Sequence, residues 1–396
     1  MVLPVFANGK WGRLGIEKNF ILQKRISILV RYKKKREARQ EQESVGMSWQ
    51  DKLWDEWEII SEIGSGSYGK VYKVMRHEGS YVSEDALKVI SIPRSREEME
   101  ALRKKNMSSR EISNYFYSVK GKFTQEFALM SALKGNSNIV SYENHKFVPR
   151  ENGVGYDILI LMELLTPLKD RFPDLSCSQD DVYKIGIDMC SALELCEQEG
   201  VIHRDIKPGN IFISKHGNYK LGDFGIAKVM HGEESNAEVA GTYNYMAPEV
   251  YNKQKYDYTV DIYSLGLVLF RLLNDGRGPF LPVATTEITS EMEKEAGLRR
   301  LQNREWIPAP RNASVALAEV ISKACAYEAK DRYQTAGEFK EALIRCREGG
   351  NPWDIKGRTG KKTESKIEDR SSREPEPDPP ETSTSGGGWF YKPNML

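Results

Sequence analysis

Between residues 57 and 92 apolar and polar positions alternate and are broken by glycine-rich turns, the pattern of half-buried β-strands. A short apolar run, Ile158-Leu159-Ile160-Leu161-Met162, follows the Asn152-Gly153 turn signal and predicts a buried strand. From Phe123 to Leu133 a helix is expected, with Phe127, Met130 and Leu133 as its apolar stripe. Helices dominate after residue 175. Ser178 with Asp181 three positions on is a helix start, and Val182, Ile185, Met189, Leu193 and Cys196 mark one face. Val260 to Leu273 is apolar apart from Asp261, Ser264 and Arg271, too short to cross a bilayer and therefore expected inside the protein. A last helix spans about 335–346, ahead of Gly349-Gly350. Strands come first and helices second, with a junction near residue 165, which is an α+β pattern in two lobes.

Residues 94–122 read as a charged helix capped by Ser95 and Glu98, a solvated spacer between strand and helix. The ordered domain is expected over 54–347, with lobes 54–164 and 165–347. Residues 1–53 are basic around Arg31-Tyr32-Lys33-Lys34-Lys35-Arg36. They are read as a disordered segment, with peripheral contact to anionic lipid as the alternative. Residues 348–396 are rich in Lys, Glu, Ser, Pro and Gly and read as a disordered tail ending in Trp389-Phe390-Tyr391.

Composition narrows the classes. A formal net charge of +1 over 396 residues gives no global field for nucleic acid or membrane. The five cysteines form no CxxC pair, so reduced thiols are expected rather than a zinc site or disulfides. No apolar run approaches the ~18–20 residues of a membrane span. The expected location is the cytoplasm.

Candidate chemistry begins with Gly64-Ser65-Gly66-Ser67-Tyr68-Gly69. Glycines there let backbone N–H groups approach phosphate oxygens. The motif continues into a strand, Lys70-Val71-Tyr72-Lys73-Val74, which argues against a dinucleotide fold, where a helix follows. A second strand, Ala86-Leu87-Lys88-Val89-Ile90, carries a lysine among apolar residues. Further on stand His203-Arg204-Asp205-Ile206-Lys207-Pro208-Gly209-Asn210, then Asp223-Phe224-Gly225, then Ala247-Pro248-Glu249.

These motifs, in this order and spacing, resemble the eukaryotic-type serine/threonine protein kinases, over about residues 57–346. The resemblance looks bacterial in its compact form. It implies a bilobal fold, with an antiparallel N-lobe sheet plus the family's αC helix and a mostly helical C-lobe. It implies transfer of the ATP γ-phosphoryl group to Ser/Thr hydroxyls of proteins, with Mg²⁺ or alternatively Mn²⁺.

By that resemblance Asp205 handles the substrate hydroxyl proton and Lys207 stabilises the transferring phosphate. Thr242 bonds near both. Asn210 and Asp223 are the metal ligands. Lys88 contacts the α- and β-phosphates and pairs with Glu126. Nucleotide contacts are implied for Ile63, Gly64, Ser65, Gly66, Ser67, Tyr68, Gly69, Val71, Ala86, Met162, Glu163, Leu165 and Phe212. Met162 would be the gatekeeper, and Glu163 and Leu165 the hinge backbone. His203 and Phe224 would pack beside Met130, Asp261 would hold the catalytic-loop backbone, and Arg332 would pair with Glu249. Implied partners are protein substrates and a second copy for autophosphorylation, with Ser235 as the candidate site and Glu233 and Glu234 weighing against it. The alternatives are a pseudokinase binding module, which the filled catalytic positions disfavour, and a small-molecule kinase of the same fold.

Overall fold

The computed structural model describes residues 49–66, 69–150, 154–224, 242–282 and 287–353, all within one compact unit. Ser67, Tyr68, the Asn152-Gly153 turn, Ser235 with its two glutamates, the side chain of Thr242 and both terminal segments lie outside the described residues.

Five strands make one antiparallel sheet: β1 Trp57–Gly66, β2 Gly69–Glu78, β3 Tyr81–Ile92, β4 Tyr142–Pro149 and β5 Tyr156–Glu163, in the order β1-β2-β3-β5-β4. Register explains the two faces, because residues directly opposite across a ladder point to the same side. Val71 opposes Lys88, which opposes Ile160, and Ala86 opposes Met162. These side chains therefore share one face. The intervening residues Leu87, Val89, Leu159 and Leu161 form the other, where Leu53, Trp57, Val74 and Val148 join them in a separate apolar cluster. Trp49 also packs there, 5.4 Å from the Tyr72 ring. Packed structure therefore starts before the expected Trp54.

The 94–122 segment is not a solvated spacer. It forms helix α1, Arg96–Lys104, and then the first turns of α2, Ser109–Ala132. Ser95 caps α1 by accepting from the Glu98 N–H, and Ser108 with Glu111 makes a reciprocal capping box on α2. Leu102, Ile112 and Phe116 are buried in the main core. The helix expected to begin at Phe123 is thus 24 residues long. Ile112, Phe116, Val119 and Phe123 follow one another at steps of four, three and four and extend the apolar stripe backwards, but the many charged residues of 94–122 drew the reading toward a solvated helix.

After β5 come the short β6, Thr166–Pro167, and helix α3, Leu168–Arg171. Helix α4, Gln179–Gln198, is capped by Ser178 as expected, and all five residues of its expected face are buried. β7, Ile211–Ile213, and β8, Tyr219–Leu221, complete a three-stranded sheet with β6. Helices α5 Pro248–Tyr251, α6 Thr259–Leu272, α7 Ser290–Gln302, α8 Val315–Ala324 and α9 Ala336–Arg347 follow. Every residue of α6 is buried, and α4, α8 and α9 pack around this region. The packed chain runs past 347: Pro352 is buried and Trp353 Nε1 donates to Glu319 at 3.3 Å. No helix among the described residues is long and apolar enough to cross a membrane.

Candidate active site

The segment Val201–Asn210 lies between α4 and β7 without regular structure until the 3-10 turn Pro208–Asn210. Side chains hold it in shape. Asp261, from buried α6, accepts from the backbone N–H groups of His203 at 2.7 Å and Arg204 at 2.8 Å. Arg204 has φ +68°, a left-handed conformation that a non-glycine residue keeps only when its neighbours impose it. Burial pushes the Asp261 carboxyl above its ordinary pKa, opposed by His203 and the two N–H donors.

His203 is a strut and not a metal ligand. Its Nδ1 accepts from the Asp205 N–H at 3.3 Å, which leaves Nε2 as donor to the Gly222 carbonyl at 3.0 Å. Phe224 meets the His203 ring edge-on at 4.7 Å and shares the main core with Met130.

Asp205 Oδ2 accepts from Lys207 Nζ at 2.8 Å and from Asn210 Nδ2 at 2.8 Å. Asn210 Nδ2 also donates to the Asp205 carbonyl at 2.7 Å. With two acceptors fixing its amide nitrogen, the Asn210 side-chain oxygen points away from Asp205. Across the site Lys88, 6% exposed, gives its ammonium to Asp223 Oδ1 at 2.6 Å. The family resemblance implies Glu126 as a partner of the same ammonium. Glu126 is half-buried on α2, between buried Phe123, Phe127 and Met130.

The β1–β2 hairpin carries the glycine-rich segment, with ladder irregularities between Ile59 and Ser61 and between Glu62 and Gly64. Gly69 has φ +133°, and a Cβ there would collide with the Val89 carbonyl oxygen. The fold itself therefore demands Gly69. At Gly66 a Cβ would meet no atom within 4 Å, so chain packing does not demand a glycine there. Ile63 is exposed beside them. The lobe junction has a polar clasp: Glu163 Oε1 accepts from the Ser141 N–H at 2.6 Å and from Lys220 Nζ at 2.7 Å. Phe212 of β7 opposes Pro167 just beyond Leu165.

A family model for the protein kinase domain matches residues 57–343, most of the chain. The chain belongs to the protein kinase family. It is 32% identical over 234 residues to the serine/threonine-protein kinase PknB of Mycobacterium leprae, covering 58% of this chain and 36% of that protein. It is 37% identical over 237 residues to PknB of Mycolicibacterium smegmatis, with the same coverage of 58% and 36%. Against the Aurora kinase of Saccharomyces cerevisiae it is 29% identical over 283 residues, 70% of this chain and 66% of that one. The alignments thus span little more than a third of the PknB proteins.

Protein kinases use ATP and a divalent metal ion. The donor set fits the metal: Asn210 and Asp223 offer hard oxygens, as a small hydrated cation needs. Among the described residues no cluster of three or more His, Cys, Asp or Glu could hold a metal. Four supports were not anticipated from sequence: the Lys88–Asp223 pair, the Glu163–Lys220 clasp, and the buried Arg271 and Arg300. Lys220 left a faint signal, a lysine between Tyr219 and Leu221 in an apolar strand. The expected Arg332–Glu249 pair is present, bidentate at 2.6 and 2.8 Å.

Proposed function

We propose that this chain is an ATP-dependent protein kinase that phosphorylates serine and threonine hydroxyls, using Mg²⁺ with Mn²⁺ as an alternative. The observation that carries this reading is the fixation of one Asp205 oxygen by both Lys207 and Asn210. Both bonds fall on Oδ2, and among the described residues Oδ1 has no partner, which leaves it to take the proton of an incoming hydroxyl. The substrate oxygen bonds to the γ-phosphorus as the bond to the β-phosphate oxygen breaks, and ADP departs. Lys207 sits beside Asp205, positioned to neutralise charge on the moving phosphoryl group. Asn210 and Asp223 would hold the metal, which when bound neutralises phosphate charge. Lys88, mostly shielded from water, would move from Asp223 to the α- and β-phosphates. Glu126 is read, from the family resemblance, as the carboxylate that steadies it there.

Nucleotide binding is read onto the face shared by Val71, Ala86 and Met162, with Phe212 and the segment from Ile63 to Gly69 as the further contacts that the family resemblance implies. The hinge contacts fall to the backbone of Glu163 and Leu165. The proposed location is the cytoplasm and the partners are protein substrates, including a second copy of this chain. The test is incubation of purified protein with labelled ATP, Mg²⁺ and dephosphorylated casein, followed by phosphoamino-acid analysis. Phosphoserine and phosphothreonine are expected, with loss of about 10²–10⁴-fold in the Asp205→Asn variant. An Asp205→Asn protein with the wild-type rate would refute the assignment.

A further inference from the structure

Helix α7 lies outside the nucleotide cleft, yet it grips the segment Tyr243–Met246 that precedes Ala247-Pro248-Glu249. Arg300 is 3% exposed. One of its terminal nitrogens donates to the Met246 carbonyl at 2.7 Å and to the Tyr263 hydroxyl at 2.6 Å; the other donates to the Tyr243 carbonyl. Two turns earlier, on the same helix face, Glu293 accepts from Asn244 Nδ2 at 2.7 Å and from Arg271 of α6 at 3.3 Å. Ser264 of α6 donates to the Tyr245 carbonyl at 2.7 Å. Each of the four residues of the segment is thus tied to α6 or α7 by a side chain. Backbone carbonyls held by a buried guanidinium fork cannot shift without stranding a charge.

We propose that Arg300 is a positioning residue for the protein acceptor: it fixes the height and tilt of Tyr243–Met246, on which the substrate chain lies, and has no part in nucleotide binding. This rests on the kinase reading above and on the peptide-binding shelf that the family resemblance implies for the segment from Thr242 to Glu249. Displacing such a surface by about 1 Å costs up to 10²-fold in reaction rate. The Arg300→Met variant should therefore raise KM for dephosphorylated casein about tenfold or more. KM for ATP, and ATP hydrolysis with water as acceptor, should stay within about twofold of wild type, since the Asp205 and Lys88 geometry is untouched. Arg300→Lys, a single point donor, should recover part of the casein KM. Glu293→Gln should give a smaller rise of the same selective kind.

Wild type is measured first, and absence of transfer both to casein and to itself would refute the kinase reading before any variant is compared. Given transfer, a folded Arg300→Met protein with unchanged casein KM overturns the proposal. So does a parallel fall in casein phosphorylation and ATP hydrolysis, which is what a merely structural role predicts. Thermal unfolding accompanies each assay. Should Arg300→Met fail to fold, Glu293→Gln decides, and an unchanged casein KM there overturns the proposal.

Discussion

Replacing Asp261 with Asn keeps the shape and removes the charge. The carboxylate accepts from two backbone N–H groups at 2.7 and 2.8 Å while only 2% exposed. An amide has one oxygen and one NH₂ group, so it can satisfy one N–H and must present a donor to the other. The variant loses one charge-assisted hydrogen bond and strands a buried N–H, a cost of about 2–3 kcal/mol. For a domain of this size each kcal/mol lowers Tm by about 2–4 °C, so a fall of roughly 4–12 °C is expected. Arg204 would also be freed to leave its left-handed conformation, carrying neighbouring Asp205 with it, so kcat should fall further than stability alone explains.

Burial raises the Asp261 pKa in the folded protein. A raised carboxylate pKa contributes stability that is complete below the unfolded value, about 3.9, and lost as pH climbs through the folded one. The variant lacks that slope, so its deficit relative to wild type should shrink as pH rises from about 4. Urea unfolding at several pH values, with kcat measured alongside, tests this. An Asp261→Asn protein within about 0.5 kcal/mol of wild type at neutral pH, with kcat intact, would refute the reasoning.

Glu249→Gln should destabilise by about 3–5 kcal/mol in urea unfolding, because it leaves the Arg332 guanidinium buried without its counter-charge. Gly66→Ala should leave the unfolding midpoint unchanged yet raise KM for ATP, whereas Gly69→Ala should lower both stability and ATP affinity. Burial pushes the Cys196 and Cys325 thiols up to about 12 and Cys190 well above the ordinary range, so native protein at pH 8 should label slowly at these positions and rapidly once unfolded. Their folded pKa values exceed the unfolded value, so the stability they contribute is complete below about 8.5 and should decline as pH rises toward the folded values.

Asp261 was legible in the sequence because a lone carboxylate in an apolar helix must find donors. The strands over 57–92 followed from alternation, whereas the roles of Val71, Ala86, Lys88 and residues 203–210 came only from the family resemblance. Arg300 was illegible for the opposite reason. The segment Ser-Glu-Met-Glu-Lys-Glu-Ala-Gly-Leu-Arg-Arg-Leu-Gln reads as a solvated surface helix, and only three-dimensional packing separates buried Arg300 from exposed Arg299. The partner of Lys88 was likewise beyond sequence. Asp223, which meets its ammonium, stands 135 residues away in the chain, a contact that no local pattern encodes.

The unbroken course of α2 makes it a lever. Its Phe127 ring stacks on His145 of β4 at 4.1 Å, beside Glu126, which gives a pivot near one end. Ser109 at the other end lies 18 residues away, about 27 Å along the axis. A tilt of about 5° at the pivot would sweep the far end through roughly 2 Å. Ile112 and Phe116 near that far end are buried in the same core as Phe127, so the helix is held along its length and Glu126 keeps its place with it.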